Sequence, residues 1–171
     1  LEQNLNGVMT KVTDWRHHFH EFPELSNREF NTQQSISDAL IEMGLEPNTE
    51  YGKTGVIAFI RGQNSGPLIA LRADIDGLPV TEKLNLPFSS KQRTTYQGND
   101  VGIMHACGHD AHIATLLGVA SFLSQNTDKL NGDILLIFQP AEEGAPEGEE
   151  GGAELMLKEG LFDAEKPDAI F

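Results

Sequence analysis

Eight consecutive residues, His105-Ala106-Cys107-Gly108-His109-Asp110-Ala111-His112, hold three histidines, the chain's only cysteine and a carboxylate. Imidazole, thiolate and carboxylate are the groups that bind divalent metals, and chance rarely crowds them together. Cys107 and His109 flank a glycine, which lets the backbone turn so that both side chains face one ion. A thiolate and an imidazole suit zinc; with carboxylates completing the shell they also suit manganese, cobalt or nickel. The bland alternative makes Cys107 a small buried hydrophobe and His109 a hydrogen-bonded core histidine. The nearby His105, Asp110 and His112 weigh against it.

A second cluster, Gln139-Pro140-Ala141-Glu142-Glu143-Gly144, follows an apolar run. Two adjacent loop carboxylates point different ways, so one can bind metal while the other takes a proton from metal-activated water. Glu147, Glu149 and Glu150 favour the plainer reading of a solvated acidic loop. Against it, Gln139-Pro140 ends a buried strand, which starts Glu142 and Glu143 near the core. Asp74 and Asp76 end another strand and, if extended, face the same side. Either could accept a hydrogen bond from a ligating histidine; a cap or turn role fits the spacing equally well. Cys107 as a thiol nucleophile, with His109 or His105 as base, competes for the same residues but leaves Glu142 and Glu143 idle. There is no Gly-x-Ser-x-Gly elbow and no phosphate-binding Gly-x-x-x-x-Gly-Lys.

These clusters need elements to hold them. Leu5, Val8, Val12, Trp15 and Phe19 recur at helical spacing, and Pro23 closes that helix. His17, His18 and His20 at its C-terminal end read as an exposed run favoured by the helix dipole. Ser26-Asn27-Arg28-Glu29 fits a capping box that starts a second helix, striped by Ile36, Ala39, Leu40 and Met43 and closed by Gly44. Residues 55–60 read as a strand and 61–67 as a turn. Pro67 opens a second strand, 68–73, which runs into Asp74 and Asp76. From Lys83 to Gly102 no period is sustained, which predicts a long loop. Ile113, Leu116, Leu117, Ala120 and Leu123 mark a buried helix. Residues 133–138 are apolar on both faces and predict a central strand. Residues 144–152 read as a mobile acidic loop, 153–159 as a helix and 169–171 as the start of a strand. Helices alternate with strands, and the polar clusters follow strand ends. The expectation is an α/β fold, with a central mostly parallel or mixed sheet flanked by helices and a site at the sheet's carboxyl edge.

The chain has 171 residues, enough for one domain with a core. Its 26 acidic and 12 basic residues leave a net charge of -14, which argues against nucleic acid or anionic membrane as partners. A single cysteine excludes an internal disulfide. No apolar run approaches a membrane span, and the first residues do not form a signal peptide. A cytoplasmic location is the expectation, with a removed leader left open by the missing initiator Met.

Four stretches in order resemble the aminoacylase/carboxypeptidase family of metallo-amidohydrolases. They are Arg16–Leu25 (RHHFHEFPEL), Leu71–Pro79 (LRADIDGLP), Met104–Asp110 (MHACGHD) and Phe138–Gly144 (FQPAEEG). The resemblance is to the branch of hippurate hydrolases, N-acetyldiaminopimelate deacetylases and auxin–amino-acid conjugate hydrolases. It implies a zinc-peptidase-like catalytic domain with two divalent ions (Zn, Mn, Co or Ni). Cys107, His109 and Glu143 are then metal ligands, Glu142 is the general base, and Asp74 or Asp76 assists. The implied reaction cleaves the amide of a small N-acyl amino acid, hippurate-like or N-acetylated. A dipeptidase or exopeptidase on the same scaffold, or a non-catalytic metal-binding domain, is the rival. In that family two further histidine ligands and an inserted lid and dimerisation domain lie downstream. Residues 1–171 are thus expected to be the N-terminal part of a catalytic domain, inactive alone, from a protein that is a homodimer or homo-oligomer at full length.

Overall fold

The computed structural model describes residues 2–171, with side chains from residue 7 onward; the Leu5 side chain lies outside the described residues. The elements run in the order α1 (Glu2–Glu21), α2 (Phe30–Glu42), β1 (Val56–Ile60), β2 (Asn64–Asp74), β3 (Arg93–Tyr96), β4 (Asn99–Gly102), α3 (His109–Ser124), β5 (Asn131–Gln139), α4 (Gly152–Lys158) and β6 (Ala169–Ile170). Four strands form a mixed sheet in the order β1-β5-β2-β6. The β2 strand runs parallel to β5 and to β6, while β1 is antiparallel to β5.

Alternation along β5 explains its central position. Leu136 and Phe138 join the core formed with Phe19, Ile36, Leu40, Ile113 and Leu117 of the first three helices. Leu135 and Ile137 face the other way, against Met156 and Leu161. A strand buried on both faces has no room for polar residues, and each such side chain contributes roughly 1.5–3 kcal/mol by leaving water. The α1 and α3 helices pack closely because Gly118 has no side chain; a Cβ there would meet Val12 Cγ2 at 2.4 Å. Among the described residues no helix is long and apolar enough to cross a membrane.

Several local expectations fail for identifiable reasons. The second helix begins at Phe30, and its N-cap Glu29 makes no capping bond. The supposed box residues are engaged elsewhere: Ser26 Oγ donates to Asp76 and Glu29 accepts from Thr54. Gly44, at φ +78, closes that helix as expected. Pro67 does not open β2, which starts at Asn64. It falls inside the register shift between Asn64 and Leu68, where a missing N–H breaks no ladder bond. Within the expected loop 83–102, β3 and β4 form a hairpin turning at Gln97 and Gly98, both at positive φ. The histidines at the end of α1 are not a uniformly exposed run. His18 is exposed, but His17 stacks on Phe88 with ring centroids 3.8 Å apart. His20 is buried, with Nδ1 2.9 Å from Asp110 Oδ2 and Nε2 3.3 Å from Glu82 Oε1. The acidic stretch 144–151 forms no helix or strand, α4 takes up Gly152, and Asn27, Arg28 and Lys53 all bond to Glu149 of that stretch.

Candidate metal centre

The parallel pairing of β2 and β5 brings two chemical segments to one sheet edge. Asp74 ends β2 directly beside Gln139, which ends β5. Beyond Gln139 the chain turns through Ala141, at φ +49, which aims Glu142 and Glu143 back across the strand ends. A left-handed alanine costs about 1–2 kcal/mol. The buried Glu29 carboxylate holds the turn, accepting from the Ala141 N–H at 2.9 Å and from Thr54 Oγ1 at 2.6 Å. Burial pushes the Glu29 carboxyl up, against the lowering effect of those two donors.

The third segment is the start of α3. Gly108 takes φ +92, a conformation L side chains rarely adopt, and turns the chain between Cys107 and His109. Cys107 Sγ, a His109 ring nitrogen and a Glu143 carboxylate oxygen then lie within 4.8 Å of one another. Asp74, His109 and His112 form a second such group through the same histidine. Cys107 is exposed and His109 buried, so the cluster lines an open edge rather than a closed cage.

The two ring nitrogens of His109 have different work. Nδ1 donates to the Asp76 carbonyl oxygen at 2.8 Å and lies 3.3 Å from Asp76 Oδ1. Nε2 faces three carboxylates at 3.7–3.9 Å, those of Glu142, Asp74 and Glu143. Asp76 therefore sits behind the histidine and Asp74 in front of it, with Asp74 also paired to Arg72. Asp76 Oδ2 further accepts from Ser26 Oγ at 2.7 Å and from the Glu143 backbone N–H at 3.0 Å. One buried carboxylate thus ties together the segments that carry His109 and Glu143. Burial alone would raise the Asp76 carboxyl, but His109, Ser26 and the backbone donors outweigh it and hold it below its ordinary value. Burial likewise works to lower the His109 pKa, and the hydrogen bond and charge of Asp76 carry it above the usual value instead.

The donor set fits a divalent cation. Glu143, by hydrogen bond and by charge, pushes the Cys107 thiol up, and Glu142 and Asp74 add to the effect. Neither Glu142 nor Glu143 pairs with a lysine or arginine among the described residues. Acids crowded without a protein cation are what a metal relieves, and a coordinating thiol is deprotonated outright. The glutamates differ in exposure: the Glu142 side chain is 41% exposed and that of Glu143 22%. Glu142 has the freer approach to water.

Cys107, His109, Glu142, Glu143, Asp74 and Asp76 all meet at this edge. His105 stands apart: it is buried, its ring centroid is 6.4 Å from that of His109, and neither nitrogen has a partner among the described residues. Burial pushes its pKa down to about 4. Sequence reasoning missed Ser26 and Glu29, whose spacing imitates a helix start, and it missed that Asp76 serves two segments at once.

Three comparisons bear on this geometry. Residues 70–171 match the family model described as peptidase family M20/M25/M40. The chain is 46% identical over 160 residues to N-acetyl-L-cysteine deacetylase of Bacillus subtilis (strain 168), covering 94% of this chain and 35% of that protein. It is 43% identical over 169 residues to hippurate hydrolase of Campylobacter jejuni subsp. jejuni, covering 98% and 39%. Among solved structures it superposes with a TM-score of 0.83 at 42% identity on the Bacillus subtilis YXEP protein, described as a dinuclear metal binding peptidase from the M20 family; the match covers 97% of this chain and 43% of that one. The chain therefore spans less than half the length of each of these proteins. With the family model covering more than half of its residues, the chain belongs to peptidase family M20/M25/M40.

Proposed function

We propose that the chain forms part of the catalytic domain of a metal-dependent amidohydrolase acting on small N-acyl amino acids. The observation that carries this reading is the convergence of Cys107, His109 and Glu143 within 4.8 Å, beside a Glu142 that faces His109 and pairs with no lysine or arginine among the described residues. The similarity to a protein named for deacetylating N-acetyl-L-cysteine and to one named for hydrolysing hippurate supports the substrate class. Cys107, His109 and Glu143 would hold divalent metal, with Asp74 and His112 offering a second group around the same histidine. A bound metal supplies Lewis acidity for the scissile carbonyl and acidifies water. Glu142 is the base: it takes the proton of the attacking water and returns it to the leaving amine. Asp76 fixes the tautomer of His109, so that its Nε2 faces the donors. The proposal includes the expectations of a cytoplasmic homo-oligomer, which cell fractionation and sedimentation of the full-length protein test.

The deciding experiment loads full-length protein with zinc, manganese, cobalt or nickel. Turnover is then compared on N-acylated amino acids and on dipeptides with a free amino terminus. Metal-dependent cleavage of the N-acylated series is the expected result. Cleavage of free dipeptides alone would assign an exopeptidase instead, and no turnover with any metal would overturn the reading.

A further inference from the structure

Beside the donor cluster lies a cavity of about 450 Å³ whose lining includes Glu143 itself. It opens between the segment that carries Glu143 and three further pieces of chain. The first is the segment after α1, which contributes Leu25. The second follows β2, where Leu78 is anchored to Met104 by reciprocal backbone hydrogen bonds of 2.9 and 3.0 Å. The third is the β3–β4 hairpin, whose half-buried Thr94 and Tyr96 share one face of β3 and line the cavity. Pro79 and Pro146 add further apolar wall.

The charges on this wall decide what fits. Its one cation is Arg28, and that guanidinium is already bonded to both carboxylate oxygens of Glu149 and to the Asn27 carbonyl. A ligand carboxylate entering here would find Glu143 and Glu147 and no free positive partner. An uncharged group, flat or branched, would find leucine, proline and tyrosine surfaces and a volume in the range of small-molecule pockets.

We infer that this cavity receives the acyl group of the substrate, and that Thr94 and Tyr96 of the hairpin set its permitted size. The inference rests on the amidohydrolase reading, since it needs the scissile carbonyl to sit at Glu143. It gives the hairpin, which contributes no strand to the main sheet, a place in specificity. The amino acid carboxylate is then left to face away from this wall.

The test uses full-length protein with two substrate series. One varies the acyl group (acetyl, butanoyl, benzoyl) on a single amino acid; the other varies the amino acid under a fixed acetyl group. Tyr96→Ala widens the cavity and Thr94→Phe narrows it, and neither residue belongs to the donor cluster. The expected result is that Thr94→Phe lowers the benzoyl-to-acetyl ratio of kcat/KM by about tenfold or more, the scale of one misfit group in an apolar pocket. Tyr96→Ala should move the same ratio the opposite way or flatten it, with preferences in the amino acid series unchanged. An unchanged acyl ratio in both variants, or a shift confined to the amino acid series, overturns the subsite. If the unaltered protein cleaves no member of either series, the amidohydrolase reading itself fails, and that failure is visible before any variant is made.

Discussion

Two groups of glutamates follow β5 within a dozen residues, and the structure treats them in opposite ways. Glu149 and Glu150 are matched by cations of the chain itself: Arg28 and Lys53 hold the first, and Lys158 the second. Among the described residues Glu142 and Glu143 pair with no lysine or arginine and face His109, while Glu143 also perturbs Cys107. The composition of the two stretches is nearly the same. The difference lies in what the fold brings opposite them: neutralising side chains in one case, a histidine and a thiol able to bind metal in the other. An acidic run is thus a surface fastening where the protein supplies the counter-charge and a candidate cation site where it withholds it.

The largest test of this contrast separates the unmatched pair from within. In the full-length protein, Glu143→Gln should lose metal and turnover together, because a donor is removed. Glu142→Gln should keep its metal and lose about 10²- to 10⁴-fold in turnover, the usual worth of a positioned base. Equal metal loss in both would erase the division of labour. Metal content by elemental analysis, read beside kcat, distinguishes these outcomes.

A smaller effect is expected behind the site. Asp76→Asn weakens the acceptor that fixes His109 and the Glu143 backbone, so metal affinity or activity should fall about 10- to 100-fold. Competition with a chelator measures it. An unchanged affinity would show that His109 is oriented by the Asp76 carbonyl alone.

The smallest effect belongs to the matched pair. Arg28, and then Lys53, hold the Glu149 carboxyl down to about 2. A carboxylate with a lowered folded pKa stabilises the native state above its ordinary value near 4.5, and that contribution is lost as pH falls towards 2. Unfolding midpoints of the parent and of Glu149→Gln should therefore differ slightly at neutral pH and converge in acid, with metal content equal throughout. A loss of metal in Glu149→Gln would break the contrast between the two groups.

Much of this was legible from residue types and periods. The apolar run 133–138 announces a strand buried on both faces, and the helix after His112 shows its stripe because burial is periodic. The candidate donor cluster was legible because few other pressures place cysteine and histidine on either side of a glycine. What stayed hidden depends on partners far away in sequence. The β3–β4 hairpin has short polar strands and a Gln97-Gly98 turn, so neither alternation nor an Asn-Gly pair marks it. His20 looks like an exposed helix end until Glu82 and Asp110 arrive from 62 and 90 residues away. Ser26 and Glu29 satisfy a local capping pattern, yet the fold uses both to brace the strand ends instead. Asp74 and Asp76 are equivalent by spacing and become distinct only when His109 stands between them.

The most direct test of the central claim is X-ray absorption spectroscopy at the metal edge of zinc-loaded full-length protein, alone and with Cys107→Ser. The account predicts a sulfur scatterer at about 2.3 Å from zinc, accompanied by nitrogen and oxygen neighbours, that disappears in the variant. A first shell of nitrogen and oxygen only in the unaltered protein, indistinguishable from that of Cys107→Ser, would contradict it.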